Sequence, residues 1–374
     1  MRESAPVCHD PNMGSWHVFL YEDVERVLTQ FNTFSSQFGY SEVRESSEST
    51  SIMGSMITTD PPLHTKLRKI VSNSFSPTSI EALETRIREI ADQYLKGVDS
   101  SMKSNNGVVD FISEFSDPLP VTVIAEILGI PIEDRVKFKS WSDIQIGSAK
   151  IDSEAQKLST MEFAKYLGKI IEERKKNPKG DLISSIVTSE INGEKLTHQE
   201  VSSFCILLLV AGNETTTNLL GSAIRLFTKY SDSMKQLHDS PAMIPRAVEE
   251  VLRFASPVRG MFRVSVKDSE IAGQKIPSGK NLIAWIGSAN RDEKKFVDSG
   301  KFDLKRNPNP HIAFGHGIHL CLGAPLARLE SKVALQLLTE RYSGVELKVP
   351  ESKLTPVQNF VVGGVEHLPV EFVA

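Results

Sequence analysis

The chain has 374 residues, 40% of them hydrophobic and 24% charged, and a net charge of -4. It is long enough to bury a large core as one big domain or two to three ordinary ones, and its weak acidity gives no general attraction to nucleic acid or to an anionic membrane. Three cysteines cannot build a disulfide framework, which points to a reducing, cytoplasmic setting.

The N-terminal stretch MRESAPVCHDPNMGSWHVFL holds no apolar signal-peptide core, and Cys8 is given no role at what reads as a loose end. Residues 41–51, SEVRESSESTS, are serine-rich and charged and read as a mobile loop. Helical periodicity then dominates residues 60–255. In DPPLHTKLRK, His64 and Arg68 fall at i,i+4 on one helix face after a Pro-Pro break; on spacing alone, a solvated basic face with Lys66 and Lys69 serves as well. SIEALETRIREIADQYL and EFAKYLGKIIEERKK carry helical spacing, and NPKGD at 177–181 breaks it. The longest candidate helix starts near Thr197, which forms a capping box with Glu200. It contains the apolar run FCILLLVAG, too short to span a bilayer, with Cys205 in its core. The run gives way to AGNETTT, whose threonine hydroxyls can bond back to carbonyls one turn earlier; a groove opening there would admit oxygen and water, although on these residues alone a tolerated polar patch is the commoner reading. Further on, Glu250 and Arg253 share a face at i,i+3, with Glu249 competing at i,i+4. Strand signals lie mostly at 264–290, in EIAGQKIPSGKNLIAWI, and at 357–374, where NFVVGGVEHLPVEFV reads as a terminal hairpin about Gly363-Gly364.

Between them lies HIAFGHGIHLCLGAPLARLESKVALQLL, with Cys321 among Gly315, Gly317 and Gly323 at the mouth of a helix (323–340) that Pro325 suits at its first turn. Backbone amides at such a terminus stabilise a thiolate and lower its pKa. One thiolate is too few for zinc, and His311, His316 and His319 stand at no zinc-pair spacing with a second cysteine. It does suffice for haem, where the porphyrin fills the equatorial positions. A buried inert cysteine is the commoner fate of a cysteine taken alone, and a nucleophilic cysteine with His319 as base is a further possibility.

FGHGIHLCLG, from Phe314 to Gly323, resembles the haem-binding signature F-G-x-G-x-H-x-C-x-G of the cytochrome P-450 superfamily at every fixed position. The resemblance implies a mainly α fold with small β-sheets and a long central helix over haem, as a single domain over 1–374. It makes Cys321 the axial ligand of haem b, with Phe314 packed on the thiolate side, Gly315, Gly317 and Gly323 shaping the loop, and His319 facing a propionate. AGNETT is similar to the family's oxygen-activation motif, which Ala211, Gly212, Glu214, Thr215 and Thr216 fit. Ala211 and Gly212 then lie beside the cofactor, and Thr215 with Glu214 forms the acid–alcohol pair that delivers protons to O2. The D-P-P-x-H-x-x-x-R match implies propionate binding by His64 and Arg68. Arg263 looks like a further propionate partner, with Arg259 as the alternative. Glu250 and Arg253 match the buried structural E-x-x-R pair, with Arg306 as the better candidate for its third member and Lys301 as the alternative.

Absence of a membrane anchor makes the chain similar to the soluble prokaryotic members, fed by a ferredoxin-like or flavin redox partner docking on the face nearest Cys321. The function implied is a monooxygenase that inserts one atom of O2 into an apolar small molecule lying near Val210, Ala211 and Thr215. SPVRGM, FVVGG and residues 41–55 are expected to supply pocket walls. A peroxide-driven peroxygenase is a variant of this idea. A non-catalytic haem-thiolate sensor is the alternative of different class, and the intact AGNETT disfavours it.

Overall fold

The computed structural model describes residues 1–37, 56–145, 153–190, 193 and 195–373. The serine-rich stretch 41–51 and the wall region 41–55 lie outside the described residues. Thirteen α-helices and ten strands are present among them. The helices are α1 (Tyr21–Thr29), α2 (Leu63–Ser72), α3 (Pro77–Glu81), α4 (Glu84–Ser104), α5 (Pro118–Leu128), α6 (Arg135–Gln145), α7 (Ser153–Lys176), α8 (Leu182–Thr188), α9 (His198–Lys229), α10 (Asp232–Asp239), α11 (Ile244–Phe254), α12 (Ile286–Ala289) and α13 (Ala324–Arg341). The strands are β1 (Val7–Asp10), β2 (Ser15–Val18), β3 (Phe34–Ser35), β4 (Val109–Asp110), β5 (Met261–Ser265), β6 (Ser269–Ile271), β7 (Gln274–Ile276), β8 (Asn281–Ala284), β9 (Gly344–Leu347) and β10 (Pro369–Val373).

The central element is α9, 32 residues long. The Thr197 hydroxyl accepts from the Glu200 amide at 3.2 Å, and the Glu200 carboxylate accepts from the Thr197 amide at 2.7 Å. Two of the amides that a helix start leaves unpaired are thereby satisfied, and such a cap contributes about 1 kcal/mol. Cys205 is fully buried in its apolar run, as the sequence suggests. α5 packs along α9 where the polar stretch begins, and α13, α11 and α7 surround the rest. The inward faces of these helices form one large hydrophobic cluster.

A second, smaller cluster joins α1 to a five-stranded sheet of order β1-β2-β8-β5-β3. In that sheet β2 runs parallel to β8, in register Ser15 with Asn281, while the other pairs are antiparallel. The N-terminus is therefore not loose: Cys8 sits in β1 opposite His17. The reason is long-range pairing one strand on, because β2, the partner of β1, is itself held by β8 more than 260 residues away.

The C-terminal stretch also differs from expectation. β10 pairs with β9 and β4 in a three-stranded antiparallel sheet, and no hairpin turns on Gly363-Gly364. Instead, Val362 bridges to Val258 and Val365 to Pro356. A side chain at Gly364 would overlap Asn218 of α9, and one at Gly363 would overlap the Arg259 guanidinium. These two glycines serve close approach to the central helix and its neighbours rather than chain reversal.

Candidate active site

A cavity of about 1440 Å³, mouth included, lies between α9 and the loop that precedes α13. Ala211, Gly212, Thr215 and Thr216 of α9 line one side, and residues 313–316 and 319–323 line the other; Gly317 shapes the loop without lining the cavity. His64 and Arg68 on α2 and Arg263 on β5 also border it. Its remaining surface is mainly apolar, with Ile57, Ile124, Phe204, Leu207 and Val258 among the contributors. Val210, on the adjoining face of α9, does not line it, and neither does Phe360–Gly364; Pro257, Val258 and Met261 of SPVRGM do.

The cysteine loop owes its shape to two left-handed glycines. Gly315 and Gly317 both have φ of +74°, and a Cβ on Gly317 would lie 3.1 Å from the Leu28 carbonyl of α1. Any other residue at 317 would be strained in its own backbone and would press tightly on the backbone of α1. The loop folds back so that the Cys321 amide donates to the Phe314 carbonyl at 2.9 Å. Gly323 caps α13, and Pro325 stands in its first turn. The free surface of Cys321 faces the cavity, while protein packs its other sides. Burial pushes the thiol pKa up, against hydrogen bonds from the Gly323 and Ala324 amides and the charges of Arg68 and Arg328 that pull it down. The helix terminus alone does not make this thiol acidic, contrary to the sequence argument; a cation seated on the sulfur would complete the ionisation.

Across the cavity the Thr215 hydroxyl donates to the Ala211 carbonyl one turn earlier, at 2.7 Å. Glu214 points off the lining to the side of the helix, and burial raises its pKa. On the back of the same turn, Asn213 donates to Ser142 at 3.1 Å and Thr217 to the Ser116 carbonyl at 3.1 Å, fixing the stretch to its surroundings.

At the rim, the rings of His64 and His319 are 4.3 Å apart. Nε2 of each is buried without a hydrogen-bond partner among the described residues. Burial and the neighbouring charges of Arg263, His64 and Arg68 push the His319 pKa down to about 3. Arg263 is 2% exposed; its Nη1 donates to the carbonyl of its neighbour Phe262 at 2.8 Å, and burial lowers its pKa to about 10. Arg259 does not reach the lining. Such a cluster is costly in isolation, because buried imidazoles and guanidiniums need acceptors. The carboxylates of a propionate-bearing ligand are the acceptors it fits, and Cys321 fits that ligand's metal.

Behind the loop lies a closed network. Arg253 and Glu250 are both fully buried. Arg253 spends all five guanidinium N–H groups, on Glu250 at 2.7 and 2.8 Å and on the carbonyls of Asn290, Ser299 and Lys301 at 2.9–3.0 Å. Glu250 also accepts from the Asp303 amide at 2.9 Å, Arg306 Nε at 3.1 Å and Asn309 at 3.2 Å. Lys301 enters through its carbonyl, and Arg306 through its side chain. Glu249 faces elsewhere and pairs with Arg328 and His311.

The family profile described as Cytochrome P450 matches residues 136–365. The putative cytochrome P450 YjiB of Bacillus subtilis (strain 168) is 40% identical, over 99% of this chain and 92% of its own length. The chain belongs to the cytochrome P450 family. The crystal structure of CYP109E1 from Bacillus megaterium in complex with corticosterone superposes with a TM-score of 0.89 at 38% identity, covering 99% of this chain and 96% of that one. The erythromycin C-12 hydroxylase of Saccharopolyspora erythraea is 37% identical over 99% of this chain and 92% of its own. As a cytochrome P450 the protein is a haem-thiolate monooxygenase, an oxidoreductase that uses haem iron and O2. No helix among the described residues of this P450 is long and apolar enough to cross a membrane.

Sequence reasoning passed over two groups that the structure brings to the site. Arg328 places its guanidinium 4.5 Å from the centre of the Phe314 ring. Glu330, on the same helix, is 1% exposed, lines the cavity and has one carboxylate oxygen without a partner. Helical phase was the available signal: position 330 falls between Leu326, Val333 and Ala334 on the apolar stripe of α13, where a carboxylate is out of place.

Proposed function

We propose that this P450 carries haem b, ligated by Cys321 and held at its propionates by His64, Arg68, Arg263 and His319, and oxygenates a rigid, apolar molecule of about steroid size. When bound, the haem supplies a thiolate-ligated iron at which O2 is cleaved, one atom entering the substrate and the other leaving as water. The observation that carries the reading is the opposition, across one apolar cavity, of the Cys321 loop and the Ala211–Thr216 turn, with cationic and imidazole groups confined to one rim. The Thr215 hydroxyl, free to exchange its bond to the Ala211 carbonyl for one to O2 or water, donates the proton, and the Glu214 carboxyl resupplies it. Burial suits Glu214 to the task, since it raises the carboxyl's pKa above the ordinary carboxylate range and so favours the proton-holding form. The apolar lining excludes water from the substrate side and orients the ligand by shape.

The substrate class rests on two relatives: the CYP109E1 structure holds corticosterone, and another relative is a hydroxylase of erythromycin, also large and mostly aliphatic. Electrons come from a separate ferredoxin-like or flavin carrier that docks on the face nearest Cys321, and the enzyme works in the cytoplasm. The test is a panel of steroids and macrolides titrated against the ferric protein, followed by turnover with a surrogate reductase. A high-spin shift and hydroxylated product support the reading. Thr215→Ala should then lower product formed per reductant consumed by about tenfold or more. Unchanged coupling in that variant would remove Thr215 from the relay.

A further inference from the structure

The loop that holds Cys321 is bordered on its outer side by a charge cluster that none of the roles above uses. Arg328 lies in the second turn of α13, seven residues beyond the cysteine. Its Nε and Nη2 donate to Glu249 at 2.7 and 2.9 Å, a two-point pairing that fixes the guanidinium plane. The same guanidinium rests over Phe314 at 4.5 Å from the ring centre, and the Phe314 carbonyl accepts the Cys321 amide at 2.9 Å. His311 closes the cluster: its Nε2 lies 3.0 Å from Glu249, and its ring is 6.3 Å from that of Phe314. One positive charge is thus clamped beside the ring that backs the cysteine, with a carboxylate set behind it.

We propose that Arg328 is a positioning residue for the haem–thiolate centre, its charge raising the centre's reduction potential and Glu249 moderating that charge. The proposal rests on the assignment of Cys321 as haem ligand. Taking one electron from the donor makes the centre one unit more negative, so a nearby cation favours the reduced form and a nearby anion opposes it. The other cation acting on the thiolate, Arg68, reaches it from α2 on the cavity side and belongs to the rim. Both members of the cluster are partly exposed, with side-chain exposures of 44% for Arg328 and 29% for Glu249, so solvent screens the effect without cancelling it. The ionised form of Glu249 is secure: burial pushes its carboxyl up, but the bonds from Arg328 and His311 outweigh this and bring it to about 2.

The two halves of the cluster predict opposite signs, which a merely structural role does not. Spectroelectrochemical titration of the haem-loaded wild type, Arg328→Gln, Arg328→Lys and Glu249→Gln measures this directly. At a fixed poise near the wild-type midpoint, Arg328→Gln should lower the ferrous-to-ferric ratio by about two- to fivefold, and Glu249→Gln should raise it by a similar factor. Arg328→Lys, which keeps the charge, should stay nearer wild type than Arg328→Gln. Shifts of the same sign in Arg328→Gln and Glu249→Gln, or no shift in either, overturn the proposal. Should Arg328→Gln fail to load haem, Glu249→Gln still decides it: a rise supports the proposal, and a fall or no change overturns it. The reduced carbon monoxide spectrum of the wild type, recorded first, separates this from the site assignment. Without the far red-shifted band it is Cys321 as ligand that fails, whereas a normal band with unmoved potentials fails Arg328 alone.

Discussion

Two polar regions flank the cavity, and they are built in opposite ways. Behind the cysteine loop, Glu250 and Arg253 are buried with every guanidinium N–H used and the carboxylate accepting from four partners. At the rim, His64 and His319 are buried with Nε2 of each lacking a hydrogen-bond partner among the described residues, that of His319 lying 3.9 Å from the Asp60 carboxylate, and Arg263 Nη1 donates to its neighbour's carbonyl. The first region stabilises the fold through complete pairing in a low-dielectric interior. The second lowers the stability of the isolated chain, since buried polar groups without partners are costly. The contrast separates scaffold from site: satisfaction marks what holds the protein together, and want of acceptors marks the rim that the propionates of the proposed haem would fill.

The comparison breaks first at the cysteine. Cys321→Ala should abolish the far red-shifted band of the reduced carbon monoxide complex and all monooxygenase turnover; persistence of the band would remove Cys321 as ligand. Next in size is the closed network. Glu250→Gln leaves Arg253 and Arg306 facing a neutral amide, and breaking a buried pair in this way costs about 3–5 kcal/mol. Expression, thermal melts and haem content should all drop. A variant that melts like wild type would show that the pair is not structural.

How much of this was legible in the sequence follows the range of the interactions. The α9 cap, the His64–Arg68 spacing and the cysteine loop are encoded within ten residues each, so pattern and periodicity exposed them. Arg306 was identified only as one of two candidates, because which cation reaches Glu250 depends on how the 301–306 turn folds; the structure gives the Arg306 side chain and the Lys301 carbonyl. β1 and β2 were missed, since four-residue strands such as SWHV carry little signal and the pairing of β2 to β8 joins residues more than 260 positions apart. Gly363-Gly364 was misread because paired glycines mark turns as readily as close contacts; only the position of Asn218 and Arg259 tells the two apart. The direction of the Cys321 shift was missed for a related reason, as burial is a property of the tertiary fold that helix position alone does not supply.

At the rim the comparison sharpens through opposite responses of empty and loaded protein. His319→Leu removes a buried, unpartnered imidazole and a ligand contact together. The haem-free chain should melt no lower than wild type, while haem dissociation, followed by transfer to apomyoglobin, should quicken by about tenfold, the equivalent of one charge-assisted hydrogen bond. Equal destabilisation of both forms would make His319 part of the scaffold instead.

The last prediction concerns Glu330, a buried carboxyl that belongs to neither region. Burial raises its pKa to about 8 in the folded chain, against an ordinary unfolded value of about 4.3. Below pH 4 both states hold the proton and the group is neutral in its effect. Between about pH 4 and pH 8 the unfolded chain releases the proton and the folded one keeps it, so stability falls steadily as pH rises; above 8 both are ionised and the loss is complete. Glu330→Gln removes that slope. Its melting temperature should match wild type near pH 4 and exceed it by a few degrees at pH 8.5, measured side by side on haem-free protein so that ligand contacts do not enter. The sign is the informative part: a carboxylate stabilised by an unseen cation would give the reverse, with the glutamine variant melting lower at pH 8.5, and would move Glu330 into the class of satisfied scaffold groups.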